Sequence, residues 1–123
     1  MILVDTSVWI EHFRHTVPEL ADLLEAGGVL IHSWIIGELA CGNLKNRTTI
    51  LSLLDDLPKI AMPTHEEAMF FLERHRLMGR GIGYVDLHLL AATALNGDSR
   101  LWSLDKRLGN VAAELNLHFA PSQ

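Results

Sequence analysis

Met1-Ile2-Leu3-Val4-Asp5 at one end of the chain and Leu101-Trp102-Ser103-Leu104-Asp105 near the other decide the fold. Each is a short apolar run that ends on an acid. Runs without polar alternation fit strands buried on both faces, as in a parallel sheet. Between them the same punctuation recurs. Residues 7–14 read as a short helix, and Pro18 suits the first turn of another that Gly27-Gly28 stops after about Ala26. Val29-Leu30-Ile31 is a second strand. Ser33 is a good N-cap for a helix to about Leu44. A further helix over roughly 47–56 closes before Pro58, and Lys59-Ile60-Ala61-Met62 reads as a third strand.

Thr64 and Glu67 make a T-x-x-E capping box for a helix to about Met78. Ala68, Phe71, Leu72 and His75 follow the i, i+3, i+4, i+7 stripe of its buried face. Gly79, Gly81 and Gly83 mark a flexible loop before a helix from Tyr84 to Leu95, which Asn96-Gly97 stops. The run 101–104 is the fourth strand, Asp105 opens a last helix, and Leu117-His118-Phe119 is a candidate terminal strand. Strands alternating with helices predict an α/β fold, a three-layer α/β/α sandwich on a mostly parallel central sheet of four to five strands. The 123 residues suit one domain over 1–123.

Composition narrows the function. With 49% hydrophobic residues the chain fills a core without staples, and its one cysteine, Cys41, rules out an internal disulfide or a thiolate cluster. Cys41 itself reads as a small buried hydrophobe. The N-terminus lacks a basic n-region, and no apolar run approaches the roughly 20 residues that span a bilayer. A cytoplasmic location without membrane attachment is the expectation. The formal net charge of −5 opposes a nucleic-acid partner unless several acids surround cations. The bases cluster: Lys45 with Arg47, Arg74 with Arg76 and Arg80, Lys106 with Arg107.

Four acids stand where a parallel fold places ligands, outside the carboxyl ends of the strands. Asp5 and Asp105 follow strands directly. Asp86 lies in the first turn of its helix and Glu38 early in the helix after the second strand, and helix N-termini gather at the same edge. Singly, Asp5 and Asp105 also read as helix caps and Asp86 as a dipole partner. Together they form a group that at neutral pH either takes up protons or binds cations. Oxygen donors without cysteine or an H-E-x-x-H pattern favour Mg²⁺ or Mn²⁺ over zinc. Such ions can orient water and neutralise a phosphoryl oxygen.

The ordered segments Val4-Asp5-Thr6-Ser7-Val8-Trp9, Gly37-Glu38-Leu39, Gly83-Tyr84-Val85-Asp86-Leu87-His88-Leu89-Leu90-Ala91-Ala92 and Leu101-Trp102-Ser103-Leu104-Asp105 resemble the PIN domain, and within it the toxins of VapBC toxin–antitoxin pairs. The resemblance covers essentially the whole chain. It implies that Asp5, Glu38, Asp86 and Asp105 coordinate Mg²⁺ or Mn²⁺ for hydrolysis of RNA phosphodiesters, with Thr6 or Ser7 offering a hydroxyl near the ion or a phosphate. Ser103 stands where the family often has threonine, keeping the hydroxyl, and Leu108 where an aromatic is common. The resemblance also implies a small cognate antitoxin, whose tail fills the acidic groove, and a homodimer.

Arg80 in the glycine loop is a candidate phosphate contact. His88 reads as an ordinary helix position, since two residues on a helix separate it from Asp86 in direction. His12, His15 and His75 lack metal-site spacing. Trp9, Trp34 and Trp102 read as core, with Trp34-Ile35-Ile36 the stretch most suited to a dimer or antitoxin surface. Two other classes stand beside the nuclease. One is a catalytically silent RNA- or protein-binding module on the same fold, which four intact acids disfavour. The other is a phosphoacceptor domain using Asp5, which wants a second acid where Ser7 stands. No G-x-x-x-x-G-K-[ST] or G-x-G-x-x-G occurs, disfavouring nucleotide binding of those kinds.

Overall fold

Val4 and Leu3 are wholly buried at the centre of the molecule, because the strand that carries them has a neighbour on each side. The computed structural model describes residues 1–121. Among them three strands, β1 (Ile2–Val4), β2 (Val29–Leu30) and β3 (Arg100–Trp102), pair in the order β2-β1-β3, all parallel. Seven helices accompany them among the described residues: α1 (Thr6–Arg14), α2 (Pro18–Glu25), α3 (Ser33–Ala40), α4 (Arg47–Asp55), α5 (His65–His75), α6 (Tyr84–Leu95) and α7 (Lys106–Glu114).

The other two expected strands are reduced to single bridges, so the strand count is lower than expected. Lys59 pairs with Ile31, and His118 pairs with Leu101, both in parallel. Pro58 and Pro63 flank the first of these segments, and a proline gives no N–H to a ladder. Only Ile60 of its apolar residues is buried. The second segment makes two backbone bonds with Leu101, 2.7 and 2.8 Å long. Across the sheet the chain therefore runs from residue 59 through β2, β1 and β3 to residue 118.

That order fixes the layers. Connections from β1 to β2 and on to Lys59 move one way, and those from Lys59 to β3 and on to His118 move back. Right-handed crossovers then put α1 to α4 over one face and α5 to α7 over the other. The packing of α1 on α3, α3 on α4 and α5 on α6 agrees. The direction reverses between β1 and β3, so the crevice of this fold opens beyond their carboxyl ends.

Several local expectations are corrected. The N-cap of α3 is His32, whose Nδ1 accepts from the Trp34 N–H at 3.0 Å, not Ser33, and α3 ends at Ala40 rather than near Leu44. Helix α5 keeps its capping box but ends at His75, short of Met78, because Arg76 takes a left-handed φ of 52° that ends α-helical bonding. His75 is exposed, so the buried stripe stops at Leu72. Cys41 is exposed just past α3. No helix among the described residues is long and apolar enough to cross a membrane.

Candidate active site

Asp5 occupies the N-cap position of α1, yet its side chain makes no capping bond. Its Oδ2 instead accepts from Ser7 Oγ at 2.8 Å and from Ser103 Oγ at 2.7 Å. Each serine has one proton to donate, and both protons go to the same carboxylate oxygen. The 3.4 Å approach of the two hydroxyls is therefore a contact made by a shared acceptor. Each hydroxyl also accepts a backbone N–H: Ser7 from Leu104 at 2.9 Å and Ser103 from Asp105 at 3.0 Å. The Asp5 N–H donates to the Trp102 carbonyl at 2.9 Å. Asp5, 7% exposed, is thus locked between the ends of β1 and β3, at the point where the topology reverses.

The other acids arrive from helices. Glu38 projects from α3 into solvent, and its Oε1 accepts from Thr6 Oγ1 at 2.9 Å. Asp86, in the first turn of α6, is half-buried and accepts from the Gly83 N–H at 3.3 Å. Gly83 has no side chain with which to return that bond. Asp105 caps α7 through Oδ1, accepting from the Leu108 N–H at 2.9 Å. Its capping role is real, and it leaves the second oxygen for other partners.

Electrostatics ties these groups together. Burial holds the Asp86 carboxyl above its ordinary range, and the charges of Asp5, Asp105 and Glu38 push it the same way, while the Gly83 N–H pulls it down. Asp86 therefore feels all three other acids. The arrangement is open: among the described residues no three His, Cys, Asp or Glu side chains already converge on one cation-sized point. The donor set nonetheless fits a hard divalent cation, being all oxygen, mutually repelling, and fixed at Asp5 by two hydroxyl donors.

The hydroxyls matter differently from the sequence expectation. Ser7 and Ser103 face Asp5, and Thr6 faces Glu38, so all three orient acids. The signal lay in the spacing, since Asp5-x-Ser7 and Ser103-x-Asp105 mirror each other across the sheet. Arg80 is engaged elsewhere, donating to Glu114 Oε2 at 2.8 Å. That partner lies at the far end of α7, roughly 13 Å along the helix from Asp105 at 1.5 Å per residue. Arg107, in the first turn of α7, lies over Gly81 instead. A Cβ on Gly81 would meet Arg107 Cδ at 2.7 Å, and its φ of +81° is left-handed besides.

Beside the acids sits an aromatic group that sequence reading did not assemble. His88 is 2% exposed, with its ring 4.5 Å from Trp34 and 4.6 Å from Tyr84. His32 is wholly buried, and because its Nδ1 accepts a backbone bond, its proton sits on Nε2. Burial and the neighbouring His88 depress His32 to about 4, and burial also lowers His88. Both rings are therefore neutral core elements at physiological pH. Trp9 and Trp102 are buried as expected, while Trp34 is only half-buried.

A groove of about 780 Å³ opens on the α1–α3 side of Glu38, lined by Phe13, Leu39, Leu44, Lys45 and Ile50 among others. The chain matches the PIN domain over residues 2–114. It is 46% identical over 120 residues to Ribonuclease VapC32 of Mycobacterium tuberculosis, in strains CDC 1551 / Oshkosh and ATCC 25618 / H37Rv. Those matches cover 98% of this chain and 97% of each relative. With a family match over residues 2–114 and relatives 46% identical over nearly their whole length, the chain belongs to the PIN-domain family.

Proposed function

We propose that this chain is a ribonuclease that hydrolyses RNA phosphodiester bonds with Mg²⁺ or Mn²⁺, and that it is the toxin of a toxin–antitoxin pair. The observation that carries this reading is the buried Asp5 carboxylate, fixed by Ser7 and Ser103 at the carboxyl ends of β1 and β3 beside Asp105, with its charge pushing up the half-buried Asp86. Uncompensated, that arrangement is costly, and a bound cation reverses the cost. The relatives named as ribonucleases support the reaction class.

Asp5, Glu38, Asp86 and Asp105 are the residues that would hold the cation. Once bound, it supplies a lowered water pKa and neutralises charge on the phosphoryl oxygens. The chain does the rest. Ser7 and Ser103 fix the Asp5 carboxylate, Thr6 fixes Glu38, and the Leu108 N–H fixes one oxygen of Asp105. In hydrolysis a water oxygen bonds to phosphorus, the bond to one ester oxygen breaks, and that oxygen leaves with a proton. Rigid carboxylates keep the reacting oxygen and phosphorus in line, which is where most of the rate of such a site originates. Arg80 in the glycine loop, and Arg107 in the first turn of α7, are the cations that would meet the RNA backbone.

A single domain, cytoplasmic location, homodimerisation and a small cognate antitoxin belong to the same reading. The groove beside Glu38, with Phe13, Leu39, Leu44 and Ile50 in its lining, is one that the apolar residues of an antitoxin tail would engage. The test is incubation of purified protein with RNA in Mn²⁺, in EDTA, and in EDTA followed by excess Mn²⁺. Cleavage in the first and third and none in the second is expected. Cleavage unaffected by EDTA overturns the cation mechanism, and no cleavage in any arm favours a silent binding module.

A further inference from the structure

Tyr84 is the first residue of α6, in the same turn as Asp86, and it is 43% exposed. Exposed tyrosines ordinarily swing freely, but this ring is held from three sides. Its hydroxyl lies 2.6 Å from His65 Nδ1, its centroid is 5.6 Å from that imidazole, and the buried His88 ring backs it at 4.6 Å. Trp34 lies 5.8 Å away at an interplanar angle of 36° and is itself backed by His88 at 4.5 Å. Trp34 stands four residues before Glu38 on α3, so the two share a helix face. Through Trp34 the paired aromatic surface thus adjoins Glu38, and Tyr84 opens the helix turn that carries Asp86.

We propose that Tyr84 and Trp34 form a stacking shelf for an unpaired nucleobase next to the scissile phosphate, an inference that rests on the ribonuclease reading. The class of substrate follows from the geometry. A flat aromatic face accepts any base, but only one already out of a helical stack, so the substrate is single-stranded RNA or a loop. The acids and the free N–H groups at the start of α6 engage the backbone, while the shelf engages the base. Preorganisation by His65 and His88 matters because a ring already fixed loses little freedom on stacking. His65 is a positioning residue here, acting through the Tyr84 hydroxyl.

The test is binding in excess Ca²⁺ in place of Mn²⁺, which neutralises the acids, with strand integrity checked on a gel so that it reads affinity without cleavage. A 12-nucleotide oligouridylate and an abasic ribose-phosphate strand of equal length are titrated, following tryptophan fluorescence and anisotropy. Wild type should bind the RNA about 10-fold more tightly than the abasic strand, the lower range for one stacked base. Tyr84→Ala should lose most of that difference, and Tyr84→Phe, which keeps the ring, should retain it. Equal affinity of wild type for both strands overturns the shelf, as does undiminished discrimination in a folded Tyr84→Ala protein. Discrimination that is unchanged while Tyr84→Ala alters the oligomeric state overturns it in favour of a contact between copies. Failure of the ribonuclease reading shows separately, as absence of cleavage when Mn²⁺ is restored.

Discussion

Ser103 Oγ donates to Asp5 Oδ2 at 2.7 Å across 98 positions of sequence, joining the carboxyl ends of the two strands between which the fold reverses direction. Ser103→Ala removes that donor and leaves the Asp105 N–H without its acceptor. Loss of an orienting contact of this kind costs about 10- to 100-fold in cation affinity or rate. Calorimetric Mn²⁺ titration and initial cleavage rates check it. Ser103→Thr, which keeps the hydroxyl, should stay close to wild type, and a Ser103→Ala protein that is equally active contradicts the positioning role.

Thr6 and Glu38 offer the exposed counterpart. Thr6→Val deletes the 2.9 Å bond to Glu38 Oε1 with little change in size. At an exposed site the stability change should stay within about 0.5 kcal/mol. Cleavage should nonetheless fall several-fold with the melting temperature held. A loss of stability without loss of rate would reverse the assignment.

Asp105 caps α7, and one pair of substitutions separates that role from the cation-holding role proposed for it. Asn is as good an N-cap as Asp, so Asp105→Asn should leave α7 intact while removing charge from the acid group. Asp105→Ala should lose the cap as well, at about 1 kcal/mol. Both should be poorly active, and only the second should melt earlier by differential scanning calorimetry. Full activity in Asp105→Asn would reduce this residue to a cap.

Acid should act on the fold through His32 and on the site through Asp86, with opposite signs. His32 is held at about 4, below its usual 6.5, so the unfolded chain takes up the proton first. Its contribution is fully present above about 6.5 and is lost as pH falls toward about 4, on the order of 3 kcal/mol. His32→Asn, which still caps α3, should flatten that part of the stability curve. Asp86 is raised, so the cation-free folded chain takes up its proton first and gains stability as pH falls through that carboxyl's own range. Glu38→Gln should lower Asp86, read by NMR titration of its carboxyl carbon. Mn²⁺ should raise the melting temperature more at neutral pH than in acid, where protonation of Asp86 competes with the cation.

Much of this was legible before any coordinate. The apolar runs ending at Asp5 and Asp105 located β1 and the end of β3, and parallel topology then forced their acids to one edge. The Thr64–Glu67 capping box was read correctly because it is a local motif with both partners three residues apart. What escaped was set by non-local or backbone choices. Nothing in the sequence around Arg76 announces a left-handed residue, so α5 ended early. The Lys59 and His118 segments became single bridges, because how far an edge strand pairs depends on its neighbour. The pairing of Arg80 with Glu114, 34 positions away on α7, is not visible in the sequence either. Ser7 and Ser103 carried the right atoms, but which way a hydroxyl points is a tertiary fact.

The central claim is that the four acids at this sheet edge form one cation-dependent cleavage site. Asp5 is its fixed member, so cleavage of RNA by Asp5→Asn in saturating Mn²⁺, measured beside its circular dichroism and melting temperature, tests it most directly. The expected result is a folded protein whose rate has dropped at least about 100-fold, beyond the range of orienting contacts. A folded Asp5→Asn protein cleaving within about twofold of wild type would contradict the account.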